Sequence, residues 1–144
     1  MMITISLLVI ISTTSIVAVI TFNQNQGIDD DAKSLVSELR RVYSRATGIY
    51  YPPGCTDDII TGYTVTASNA GKGITVAANG CSPASSESRT GILQSSFISN
   101  GATFTIYPGD GRVSAVSTIT ITSDTNSSLT KQIRMSDFGV IEIL

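Results

Sequence analysis

Apolar positions along the chain follow three successive patterns. Residues 1–22, MMITISLLVIISTTSIVAVITF, are almost continuous Ile, Val and Leu, broken only by Ser and Thr. Twenty-two helical residues span about 33 Å, enough to cross the hydrocarbon core of a bilayer. The Ser12-Thr13-Thr14-Ser15 cluster is a soft spot, because these hydroxyls compete with the backbone ladder once the helix leaves lipid. A cleavable secretory signal would begin with Lys or Arg and end in small residues; neither feature is present, whereas an ordinary transmembrane anchor fits the same run.

The second pattern follows a polar stretch, Asn23-Gln24-Asn25-Gln26-Gly27, which reads as a flexible joint near 23–28. Asp29, Asp30 and Asp31 then supply caps and first-turn negative charge for a new helix over 29–47. Within it Ala32, Leu35, Val36, Leu39, Val42, Tyr43 and Ala46 recur at the spacing of one helical face. Arg40, Arg41 and Arg45 sit late, where cations suit the helix dipole. Gly48 is the expected C-cap, and Pro52-Pro53 forbids continuation.

Beyond Pro53 the period shortens to two. Residues 62–67 and 74–77 alternate around the turn 68–73, a hairpin signal ending close to Cys81, and Ser82 to Gly91 reads as a Ser-rich loop. Phe97-Ile98, residues 104–107, the STITIT run 117–122, 132–135 and 140–143 are further strands, with turns at 108–111, 124–127 and 136–139. The apolar face of the 29–47 helix and the sheet's apolar face should cover each other. The expected fold is α+β: a long N-terminal helix, apolar half then amphipathic half, on a small antiparallel β-sheet head. Its parts are 1–28 as apolar helix and joint, and 29–144 as head, with the disulfide loop and sheet over 55–144.

Composition sharpens this picture. A chain of 144 residues has room for one core plus one appended element. No Asp, Glu, Lys or Arg occurs from Met1 to Ile28. A net charge of −2 argues against a nucleic-acid binder that works through bulk charge. The absence of His removes the commonest general base and metal ligand. Cys55 and Cys81, both beyond the apolar run, suggest a disulfide in a chain bound for the cell exterior; two buried free thiols are the alternative.

Ser128-Leu129-Thr130-Lys131 matches the S-x-x-K of some acylating serine enzymes but lacks their partner motifs, so no catalytic residue and no cofactor is assigned. Asp57-Asp58 is an isolated acidic pair that a loop-bound Ca²⁺ would use; such pairs are usually just solvated, and no metal site is assigned. Asn126-Ser127-Ser128 fits an N-glycan acceptor.

The apolar run M2-I-T-I-S-L-L-V-I-I, the stretch D-A-K-S-L-V-S-E-L-R-R-V-Y-S-R-A, and F-T-I-Y-P-G-D-G-R followed by S-T-I-T-I-T and K-Q-I-R-M-S-D-F-G-V-I-E-I together resemble type IV pilins and the pseudopilins of type II secretion. Within the family they are most similar to H-type pseudopilins and FimT-like minor pilins. The likeness covers nearly the whole chain. It implies a structural subunit of an extracellular type IV pilus-like filament, not an enzyme, with a methylated N terminus at Met1. It also implies a filament-core helix built from Ile3, Ile5, Leu7, Leu8, Val9, Ile10, Ile11, Ile16, Val17, Ala18, Val19, Ile20 and Phe22. The implied partners are copies of itself or other pilins, the inner membrane before assembly, and the pilus assembly machinery. The implied location is the bacterial cell surface.

Two departures from the family pattern stand out. The fifth mature position, usually Glu, is Ile5 if Met1 is the mature start and Ser6 if Met2 is. The short basic leader ending in Gly does not appear, which is expected only if this is the processed chain. The alternative is a monomeric membrane-anchored binding module. Arg112, Lys131 and Arg134 are candidates for a modest DNA-binding patch, as in some FimT-like pilins, but a net charge of −2 with no basic tail argues against DNA as a partner.

Overall fold

The structure, a computed structural model, describes the chain apart from residues 1, 53–54, 56–58 and 82–84, with side chains described from Ile16 onward. One α-helix, α1 (Met2–Thr47), precedes eight strands: β1 (Gly62–Ala67), β2 (Ile74–Asn79), β3 (Ser85–Arg89), β4 (Ser96–Asn100), β5 (Thr103–Ile106), β6 (Ser117–Ser123), β7 (Thr130–Met135) and β8 (Ile141–Ile143). The chain is α+β. The joint expected near 23–28 is absent: α1 runs unbroken through it for 46 residues. Gln is a good helix former and Asn a tolerable one, and no Pro interrupts the run. Gly27 serves close approach, since a Cβ there would lie 3.1 Å from the Ser95 side chain.

The head also differs from a single small sheet. Two four-stranded antiparallel sheets form, in the orders β3-β2-β1-β5 and β4-β6-β7-β8. The stretch expected to be a Ser-rich loop holds β3, which pairs with β2 from Ile74↔Arg89 to Ala78↔Ser85. The sheets meet along a seam where Ile98 N–H donates to Gly71 O (2.9 Å) and Ala70 N–H to Ile98 O (2.7 Å).

Helix α1 packs on β4, β6, β7 and β8. Ile28, Ala32, Leu35, Val36, Leu39, Val42 and Ala46 are buried along one face. They join Ile119, Ile121, Ile133 and Met135 from the second sheet, and Val65, Phe104 and Ile106 from the first, in one cluster. Each large aliphatic or aromatic side chain so covered contributes about 1.5–3 kcal/mol. Tyr43 is only partly buried; it packs against two turns, at Gly111 and Gly139, whose φ angles are 67° and 74°. A Cβ at either position would overlap the Tyr43 ring, so both turns require glycine for shape as well as for φ.

The helix ends at Thr47 with Gly48 in the C-cap position, as expected. Tyr50 N–H donates to Arg45 O (3.0 Å) and Ile49 N–H to Ala46 O (3.3 Å), the paired bonds of a Schellman ending. The left-handed residue of that motif is Ile49, at φ 50°, one place after Gly48. A β-branched residue there costs about 1–2 kcal/mol relative to one free of the Cβ clash. Ile49→Gly is therefore expected to raise stability by about 1 kcal/mol, read as a higher urea midpoint with unchanged slope.

Candidate functional site

Two surfaces stand out around α1. The first is the helix itself before it meets the head. Ile16, Val17, Val19, Ile20 and Phe22 are 50–66% exposed, and Ala18 is exposed between them. At 3.6 residues per turn these positions cover the whole circumference and not one stripe. Burial begins at Ile28 and from there follows one face. No helix among the described residues is long and apolar enough to cross a membrane. Met1 and the predicted core-helix positions from 3 to 11 lie outside the residues whose side chains are described.

At the boundary sits Asp31, expected to cap or charge the first turn of a new helix and in fact buried inside a continuous one. The helix passes straight through this position, so the carboxylate is free to serve a loop. Oδ1 accepts from Gln94 N–H (2.9 Å), and Oδ2 accepts from Ser95 N–H (2.8 Å) and from Ser96 Oγ (2.7 Å). Three donors converging on one charged acceptor set are the stronger class of hydrogen bond. They pin the entry of β4 to the first turn of α1 that the head covers. The sequence placed Asp31 in a run of three acids, and nothing local separates it from Asp29 and Asp30.

The second surface is a groove of about 420 Å³ between the C-terminal part of α1 and the β2–β3 edge, reaching Tyr50, Pro52 and Tyr63. Three guanidiniums and two carboxylates line it. Arg45 Nη1 donates to Glu87 Oε2 at 3.0 Å, and its Cζ lies 5.2 Å from the centre of the Tyr50 ring. Arg89 pairs with Glu87 as well. Glu38 Oε1 lies 2.8 Å from Arg41 Nη2 and 3.5 Å from Arg89 Nε. These last contacts are charge pairs without hydrogen-bond geometry: Glu38 Oε1, Arg41 Nε and Nη2, and Arg89 Nε are buried without hydrogen-bond partners among the described residues. The sequence offered little warning. Arg41 reads as one of several late-helix cations, and Glu87 and Arg89 lie in the segment expected to be a loop.

At the floor of the groove the buried Tyr63 hydroxyl donates to Tyr50 O. Burial pushes its phenol above the usual value of 10.0, with Tyr51 and Tyr50 adding to the rise. As pH climbs through that value the unfolded chain releases this proton first. The folded state then holds more protons, and stability falls with rising pH. Below pH 10 the group contributes no slope. Tyr63→Phe is expected to cost about 1 kcal/mol at pH 7 through the lost hydrogen bond. It should also flatten the alkaline decline above pH 10, measured by urea midpoints of both proteins across that range.

The remaining sequence candidates separate in space. Cys55 and Cys81 form a disulfide with a Cα–Cα distance of 5.4 Å. The Ser128 hydroxyl donates to Asn126 Oδ1 (2.7 Å), while Lys131 Nζ pairs with Asp29 (2.9 Å), so the S-x-x-K residues do not act on one another. Lys131 and Arg134 alternate onto opposite faces of β7, and Arg134 stands opposite Glu142 on β8. They do not form one basic patch with Arg112. Asp57 and Asp58 lie outside the described residues.

No protein-family model matches the chain, and no curated protein or solved structure matches it.

Proposed function

We propose that the chain is a structural subunit of a type IV pilus-like filament, a pilin or pseudopilin, assembled through its N-terminal helix. In this reading α1 has two halves. The uncharged half rests in the inner membrane before assembly and packs among neighbouring subunits in the filament core afterwards, and the amphipathic half is held by the head. The assembled subunit is extracellular, its partners are other pilins and the assembly machinery, and its role is mechanical, not catalytic.

The observation that carries this reading is the ring of exposed Ile, Val and Phe side chains at 16–22 on a helix continuous with the head's core. One partner surface would cover a stripe of such a helix. Covering its full circumference takes lipid or several neighbours, and a helical filament core supplies several. A monomeric membrane-anchored binding module is the second reading, favoured by the charged groove beside α1.

Ala18→Phe separates the two. Phe is as lipid-soluble as Ala, so membrane insertion is expected to persist. A core packed at interior density does not admit the extra ring without costs of about 1–3 kcal/mol per site, repeated in every subunit. Sheared-filament yield should therefore collapse while the membrane fraction holds. Unchanged filament yield, or an absence of filaments in the wild type, overturns the structural-subunit reading in favour of the anchored module.

A further inference from the structure

The groove beside α1 holds more positive donor capacity than the chain uses. Each guanidinium brings five N–H donors in a planar fork. Arg45 is committed to Glu87 and to the Tyr50 ring. Arg41 meets Glu38 by charge alone; Arg89 pairs with Glu87 and meets Glu38 by charge alone; and among the described residues three of their nitrogens, Arg41 Nε and Nη2 and Arg89 Nε, have no hydrogen-bond partner. Those nitrogens are free to meet an acceptor that offers two oxygens.

We propose that this groove is a binding site for a small monocarboxylate, its anionic group taken by Arg41 and Arg89. The charge of the pocket selects the class. Three arginines face two glutamates, leaving one positive charge in excess. A monoanion neutralises it. A phosphate dianion would overshoot and set two negative charges near Glu38 and Glu87, an arrangement that costs rather than gains free energy.

The rest of the wall fixes the body of the ligand. Val42, Val76 and Ala78 give it an apolar side, and Ser85, on the same face of β3 as Glu87, gives it a hydroxyl. The ligand body is therefore uncharged. The volume suits a single ring, at the small end of ligand pockets. A hydroxylated ring of the uronic-acid kind and an apolar arylalkanoic acid share this chemistry.

The test uses the full chain in detergent micelles, with arginine side-chain N–H resonances followed during titration with sodium glucuronate, sodium 3-phenylpropionate, glucose and inorganic phosphate. Saturable shifts of the Arg41 and Arg89 resonances with either carboxylate uphold the site, and the tighter of the two names the source. Glucose is expected to leave them unmoved, and phosphate to bind at least about tenfold more weakly than the carboxylate. Arg89→Gln and Arg41→Gln are each expected to weaken carboxylate binding at least about tenfold, whereas Arg40→Gln, at an exposed position of α1 outside the groove, leaves it unchanged. If Arg41→Gln shifts the urea midpoint, Arg41→Lys replaces it: the charge remains, the fork is lost, and binding still weakens. The proposal is overturned by an absence of saturable shifts with both carboxylates, by phosphate binding as tight as carboxylate, or by equal losses in Arg40→Gln and Arg89→Gln.

Discussion

Asp31→Ala lowers the stability of the protein by about 3–5 kcal/mol, because it strands three donors at once. The Gln94 and Ser95 amides and the Ser96 hydroxyl all end on this carboxylate, and Ser96 is fully buried. Each stranded buried donor costs about 1–3 kcal/mol. Rearrangement of the loop before β4 recovers part of the total. Asp31→Asn keeps one acceptor oxygen but turns an NH₂ toward donors, so it falls between wild type and alanine. Asp30→Ala is the control: that side chain is 63% exposed and among the described residues pairs only with Lys33, at 3.5 Å, so its removal should change stability by less than about 0.5 kcal/mol. Urea unfolding of the three variants, followed by the β-sheet circular dichroism signal, reads the series. An alanine variant within about 1 kcal/mol of wild type would mean that the β4 entry holds without its carboxylate anchor.

Loss of this anchor also bears on the proposed assembly. Asp31 sits where α1 passes from exposed all round to buried on one face. Its bonds and the tight Gly27–Ser95 approach fix the point at which the helix leaves the head. In the proposed assembly every subunit would have to present the helix at the same angle, and the Asp31 loop would then position it as well as stabilise the head.

What the sequence disclosed and what it hid divide along physical lines. The buried helix face was legible, because Leu35, Val36, Leu39, Val42 and Ala46 repeat at a period that only one conformation satisfies, and all five are buried. Alternation placed β1, the start of β2, and β6 for the same reason. Three features escaped. Asn23 to Gly27 looks like a joint to any local rule, yet Gly27 is there for contact with Ser95, a residue 68 positions away. The sequence Ser85–Arg89 has no hydrophobic alternation because β3 is an edge strand with both faces largely open, its burial pattern intermediate to exposed throughout. Asp31 differs from its two acidic neighbours only by the direction in which it points. The groove was invisible as a site for a compound reason: its charges come from 38, 41, 45, 87 and 89, and the pairing of β3 with β2 brings the two groups together.

Breaking the Cys55–Cys81 bridge is expected to cost about 3.5 kcal/mol, the chain-entropy value for a loop of this length, with a sequence separation of 26. The bridge lies at the open end of the β1–β2 hairpin, where Thr61 N–H donates to Asn79 O (3.0 Å). It ties the segment leaving α1 to the segment entering β3. Residues of both regions line the groove, Tyr50 and Pro52 after α1 and Ser85 to Glu87 at the start of β3. Cys55 is fully buried, so Cys55→Ala with Cys81→Ala leaves an apolar site that tolerates alanine, and the measured loss reports mainly the cross-link. The double variant should unfold at a urea concentration lower by about 1–2 M, given slopes near 2 kcal/mol/M. Dithiothreitol should bring the wild type to the same midpoint while leaving the double variant unmoved. Because the cross-link joins two regions that line the groove, the same variant should also lose affinity for a carboxylate probe before it loses its fold, in urea too dilute to unfold it. Equal midpoints with and without reductant would assign the stability of this end of the head to the hairpin hydrogen bonds alone.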